Sequence, residues 1–243
     1  MGDLLTEAVE AHGGRRRWGR AAEVSARVRS GGALLRLKGK RRSLREYGLT
    51  VSTGRQSASL EPYPGEGRSG IFDGDSVRVL AADGSVIEER TRARDAFFGL
   101  GGLRRNLRWD DLDALYFAGY AMWNYLNAPF LLEGPEFESR EGEPLEAEGE
   151  SWRRLDVSFP EGFHTHCREQ TFYFDSTGLL RRHDYSADVV SPLANAAHFC
   201  DEHREVDGLV FPTRRTVVPK APGGHPLPGP TVVSIELDSL AVH

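Results

Sequence analysis

Apolar and polar residues change their spacing several times along this 243-residue chain. Leu4, Leu5, Ala8, Val9 and Ala11 recur at helical intervals behind Asp3, a candidate N-cap. They predict a first helix that ends near His12, where Gly13 and Gly14 stop it. A short helical turn is expected around Trp18. From Val24 the period becomes two, with Val24, Ala26 and Val28 alternating against Ser25, Arg27 and Arg29, the pattern of a half-buried strand. Strand-like runs follow at 33–38, 44–52, 56–61, 77–81 and 85–89. Residues 62–70 read as a loop, and Asp83–Gly84 is a strong hairpin signal. The GLGG run at 99–102 also reads as a loop. Over 110–127 helical spacing returns. Leu112, Leu115, Tyr116, Gly119, Met122, Trp123 and Leu126 mark a long helix that Pro129 ends. This helix is apolar over most of its circumference and is expected to be buried on more than one side. The acidic stretch 133–150 reads as a solvated loop or an edge strand. Strands then resume at 152–159, 164–174, 179–190, 196–206, 209–218 and 231–242. Turns separate them at Pro160–Gly162, Asp175–Gly178, Ser191–Pro192, Asp207–Gly208 and Pro222–Pro230.

These elements predict an α+β fold over residues 1–243 as one domain. A curved antiparallel sheet, an incomplete β-barrel, wraps around the long buried helix, and an N-terminal helix is added to it. The lack of βαβ alternation argues against Rossmann and TIM architectures.

Composition narrows the function classes. The formal net charge is −5, and no basic stripe with interleaved aromatics appears, which argues against nucleic acid as a partner. No run of about 18 apolar residues is present, so no membrane-spanning helix is expected. The opening MGDLLTEAVEAHGG carries acids and lacks the apolar core of a secretory leader. Cys167 and Cys200 do not make a disulfide framework. Together these features point to a cytoplasmic, reducing location. Lysine occurs only at Lys38, Lys40 and Lys220, and the knot of Arg15, Arg16, Arg17 and Arg20 reads as a solvated helix end. The oligomeric state is left open.

The helix text YFAGYAMWNYLNAPFLL (116–132) and the hairpin text QTFYFDSTGLLRRHDY (170–185) resemble the bacterial lipoprotein-carrier (LolA/LolB-like) superfamily. The order of elements along the whole chain is similar too. The resemblance implies an incomplete antiparallel β-barrel closed by helices, with a hydrophobic cavity between them.

Histidines supply the candidate chemistry. His164, His166, His183, His198 and His203 fall within forty residues. On a strand, His164 and His166 point to one face, above Arg168 and Gln170. A hairpin turning at Asp175–Gly178 pairs Phe174 with Leu179, Gln170 with His183 and Arg168 with Tyr185. On that register His166, Arg168, Gln170, His183 and Tyr185 share a face with Phe172. In the following strand, Phe199, Asp201, His203 and Glu205 alternate with His198, Cys200, Glu202 and Arg204. Three readings compete. His164 and His166 with His183, His198 or His203 hold a divalent metal, since His-X-His on a strand suits such an ion. Alternatively His166, His183, Tyr185 and Arg168 act as acid, base or orienting groups on an organic substrate. In the third reading these are polar side chains satisfied within the sheet. Tyr116, Tyr120, Trp123, Gln170 and Phe172 are the candidate pocket wall. The expected function is the binding of a hydrophobic small molecule (acyl, isoprenoid or polyketide-like). The alternative is a biosynthetic cyclase, isomerase or lyase that uses the histidines in the same cavity.

Overall fold

The computed structural model describes residues 3–221 and 223–243; Pro222, at the head of one expected turn, lies outside them. The first helix, α1, spans Leu4–Ala11 and buries Leu4, Leu5, Ala8 and Val9. Asp3 takes the N-cap position with no side-chain capping bond. A single turn, α2 (Arg15–Trp18), follows. Trp18 stacks on Phe130, with ring centroids 4.4 Å apart, and Arg15 pairs with Glu133.

A first run of strands comprises β1 (Glu23–Gly31), β2 (Glu46–Ser52), β3 (Ser57–Glu61), β4 (Arg68–Asp73), β5 (Ser76–Ala81) and β6 (Val86–Arg90). A second comprises β7 (Glu138–Ala147), β8 (Glu150–Ser158), β9 (Glu169–Phe174), β10 (Leu180–Ser186), β11 (Asn195–Val206), β12 (Leu209–Pro219) and β13 (Val233–Val242). All thirteen form one antiparallel sheet in the order β6-β5-β4-β3-β2-β1-β13-β12-β11-β10-β9-β8-β7. The sheet is not closed, and β6 and β7 are its edges. The acidic stretch is thus an edge strand, β7, where charge and Pro144 suit an exposed margin. Among the described residues no helix is long and apolar enough to cross a membrane.

Several expectations are corrected. Residues 33–37 form a short helix, α3 (Ala33–Leu37), instead of a strand; it turns Leu34 and Leu35 into the core. The segment expected as a loop to residue 70 already begins β4 at Arg68. The GLGG run opens a helix, α4 (Gly99–Leu107). Residues 164–168 are irregular, and β9 starts only at Glu169. The β9–β10 register is displaced by an irregularity between Leu180 and Arg182. Leu180 pairs with Phe174, and His183 pairs with Phe172 instead of Gln170. Nothing in the residue pattern announces such a bulge.

The long helix, α5 (Asp111–Asn127), lies where the spacing places it, with all but its first residue buried. Asp110 and Asp113 form a reciprocal capping box at its start: Asp110 accepts from the Asp113 amide at 2.8 Å, and Asp113 accepts from the Asp110 amide at 3.1 Å. The polar residues that interrupt its apolar surface are tethers. Asn124 donates to the His164 carbonyl at 2.9 Å. Trp123 donates to the Ser52 carbonyl at 2.8 Å, and Asn127 reaches the same carbonyl. Gly119 lets the helix seat directly on Phe72, because a Cβ at this position would fall inside the Phe72 side chain. Gly→Ala normally favours a helix by about 1 kcal/mol, but overpacking a rigid core costs about 1–3 kcal/mol. Gly119→Ala is therefore expected to destabilise the protein. A urea midpoint equal to or above that of the wild type would contradict this.

Candidate ligand-binding site

The concave side of the sheet faces α5, and two neighbouring apolar voids share part of their lining there. The inner one, about 40 Å³, is lined by Leu35, Leu44, Tyr47, Phe117, Ala121, Met122, Tyr125, Tyr185 and Ile235, among others. The outer one, about 240 Å³, is bounded by Leu34, Ala187, Val190, Ala196, Val217 and Val232. Both share Phe117, Tyr185 and Val233. The outer void exceeds the roughly 150 Å³ that holds benzene in an engineered protein core. Its wall includes Leu193 and Leu227, which remain 86% and 44% exposed. Two large apolar side chains thus stand in solvent beside an apolar opening, as at the rim of a binding site.

Polarity enters from below. The Tyr125 and Tyr185 hydroxyls are 2.9 Å apart. Tyr125 also bonds His166 Nε2 at 2.7 Å, and His166 Nδ1 bonds the Tyr120 hydroxyl at 3.1 Å. The His166 ring lies flat on Tyr185, with centroids 3.8 Å apart. Gln170 fixes the tautomer of the next histidine. Its amide nitrogen donates to Thr165 and to the Cys167 carbonyl, so its oxygen accepts from His183 Nε2–H at 2.6 Å. His183 stacks on Phe172 at 4.2 Å. His198 is fully buried, and neither of its ring nitrogens has a partner among the described residues. Arg215, also buried, donates to the Tyr125 carbonyl at 2.8 Å and to Cys200 Sγ at 3.2 Å.

Burial sets the protonation states. Loss of water pushes the His166 pKa down to about 3, with Arg94 adding to the effect. It also holds His183 and His198 well below the usual imidazole value, each helped by neighbouring positive charge that includes Arg215. Burial raises the pKa of Tyr120, Tyr125 and Tyr185. At neutral pH the cluster is a set of uncharged hydrogen-bonding groups. It can orient the polar atom of a ligand at Tyr185, and Tyr125 and His166 form a proton path behind that hydroxyl.

The structure thus brings together His166, Gln170, Phe172, His183, Tyr185, Tyr120 and His198. It separates others. Arg168 points outward beside Glu169, its side chain 68% exposed, because the chain is irregular where a strand was expected. His164 bonds Tyr116 at 2.8 Å, one helical turn along α5 from the Tyr120 that holds His166. His203 turns to the Leu180 carbonyl, at 3.0 Å, near His12. The metal set His164, His166, His198 and His203 is therefore not assembled. Among the described residues no group of three or more His, Cys, Asp or Glu is placed to hold a metal ion. Tyr116, Tyr120, Trp123, Gln170 and Phe172 are packed core groups that do not border the apolar voids. Cys167 is only partly buried, and burial pushes its thiol up to about 11, so it is a poor nucleophile. From the sequence Phe117 and Tyr125 read as aromatics of the core or the cavity wall, and Arg215 as a partner for acids on the neighbouring strand; none of the three stands out there as a site residue.

A helix held in an open antiparallel half-barrel, with an apolar void between them, is a LolA-like fold. Solved structures agree. A DUF1329 family protein from Desulfovibrio piger superposes with a TM-score of 0.53 at 13% identity, covering 98% of this chain and 91% of its own. A LolA superfamily protein from Nitrosomonas europaea gives 0.52 at 10% identity, covering 98% and 92%. No protein-family model matches the sequence, and no curated protein matches it. At such identities the likeness defines the fold.

Proposed function

We propose that this protein binds a hydrophobic small molecule, of acyl, isoprenoid or polyketide-like character, with its body in the outer void and a polar atom on Tyr185. One observation carries the reading: an apolar cavity of about 240 Å³ opens beside Leu193 and Leu227, and its wall includes Tyr185, whose hydroxyl belongs to a neutral hydrogen-bonding cluster. Small-molecule sites combine apolar walls with a few placed polar groups in this way. The LolA-like architecture supports it, since the helix props the sheet open.

Filling the void tests the idea. Ala196 lines the outer cavity and is buried. Ala196→Phe is expected to reduce binding of a fluorescent fatty acid about tenfold or more while the protein stays folded. Undiminished binding in a folded Ala196→Phe variant would refute the proposed location. A second reading, an acid–base cyclase, isomerase or lyase, draws on the chain Tyr185–Tyr125–His166, which links the cavity wall to a buried imidazole. Tyr185→Phe separates the two readings. Binding weakened only a few-fold, roughly one lost neutral hydrogen bond, favours a carrier. Loss of turnover on the bound compound with binding retained favours the enzyme.

A further inference from the structure

Charge is unevenly distributed along the chain just after β1. Residues 33–45 hold Arg36, Lys38, Lys40, Arg41, Arg42 and Arg45 and no acid, in a protein of net charge −5. Two of these cations are used internally. Lys38 donates to the Arg105 carbonyl at 2.8 Å and lies over Trp109, and Lys40 pairs with Asp111 at 2.5 Å. Arg36, Arg41 and Arg45 are exposed and line a groove of about 460 Å³ with Gly31, Gly32 and Ser234. None of the three takes part in an ion pair among the described residues. The contrast with the adjoining strands decides the matter. Arg27 meets Glu46 at 2.7 Å, and Arg29 meets Glu236 and Asp238 at 3.1 and 2.9 Å. Exposed arginines on β1 are thus neutralised by carboxylates across the sheet, whereas the three in the groove are grouped without one.

The floor suits close approach. Gly32 has φ +111°, and a Cβ there would collide with the Val232 backbone, so the position stays bare. Guanidinium groups converging on an open floor match an oxyanion through paired N–H donors. We propose that this groove binds a phosphate-type oxyanion through Arg36, Arg41 and Arg45. Such an anion comes either from a soluble phosphate ester or from a lipid head group. Leu37, next to Arg36, is 75% exposed, a placement that the second source would use. The groove lies outside the apolar voids, so the proposal stands whether or not they bind a ligand.

The test is titration of the full chain with inorganic phosphate and with glycerol 3-phosphate at low salt, plus co-sedimentation with phosphatidylcholine vesicles with and without phosphatidylglycerol. The variant R36Q/R41Q/R45Q removes the groove charges. R16Q/R20Q/R204Q makes the same charge change at exposed arginines elsewhere. Binding of the soluble anions that falls roughly tenfold or more in the first variant and persists in the second supports the site with a free ester as its source. The same pattern confined to vesicles containing phosphatidylglycerol supports it with a head group as the source. Three results overturn the proposal: wild-type protein that binds none of these probes, a groove variant that binds as the wild type does, or a control variant that loses as much.

Discussion

Between pH 6.5 and pH 5 the protein is expected to lose most of its resistance to urea. Its buried imidazoles are the cause. In the folded chain burial lowers His12 to about 4 and His166 to about 3, and His183 and His198 also lie well below their usual value. In the unfolded chain each titrates near the model-peptide value of about 6.5. Above that pH both states are neutral and the groups place no pH dependence on folding. As pH falls the unfolded state takes up protons that the folded state refuses, so stability drops until the folded-state values are reached. Each such group contributes up to about 1.4 kcal/mol per pH unit below its unfolded value, so the four steepen the loss together between pH 6.5 and pH 5. Against a total of about 5–15 kcal/mol for a typical domain, this outweighs any single contact. Urea midpoints measured at half-unit steps would reveal it, and a flat profile from pH 7 to pH 5 would reject it. His198 offers an internal control, because its nitrogens have no hydrogen-bond partner to lose among the described residues. His198→Leu should shallow the slope by one imidazole and raise the midpoint at pH 5.

The second large effect is expected at Asp113. Its carboxylate is fully buried and accepts from Arg90 and Arg105, each at 2.6 Å, while its other oxygen caps α5. One side chain thus ties the end of β6 and the helix α4 to the start of α5. Asp113→Ala removes the shortest carboxylate contact of two largely covered guanidinium groups, Arg90 and Arg105, which keep Asp110 at 2.8 and 3.7 Å. Breaking one side of such a pair costs about 3–5 kcal/mol. Asp113→Asn keeps the shape and one acceptor and should cost less. Equal urea midpoints for Asp113→Ala and the wild type would show that the cluster does not hold these elements together.

These two sites also show what the residue pattern disclosed. The start of α5 was legible because Asp110 precedes a helical apolar run, and the run itself was long enough for its period to be unmistakable. The strands of the second half were legible because turns punctuate alternating stretches at regular intervals. Short elements were not. ALLRL is too brief to show a helical period, so Leu34 and Leu35 read as strand residues although they line the cavities from a helix. That Gln170, His183 and Tyr185 turn inward was legible from alternation, but His166 joins them from the irregular segment before β9 and Arg168 turns away, because alternation says nothing about where a strand begins. The irregularity beside Arg182 moved Arg181 to the outer surface, where it faces Glu148 and Asp201. The position of the void was not legible at all. It depends on how far the sheet curls away from α5, which is a sum over every strand.

The sheet order carries a kinetic consequence. Within β1 to β6 and within β7 to β13 every pairing is between sequence neighbours, and the two groups are joined by the β1–β13 pairing. Each group can assemble from nearby hairpins, whereas the seam requires closing a loop that spans most of the chain, the slowest kind of contact to form. Val233 borders both voids. A molecule lodged there would therefore rest against the last joint to close and the first to open, acting as a rivet across it.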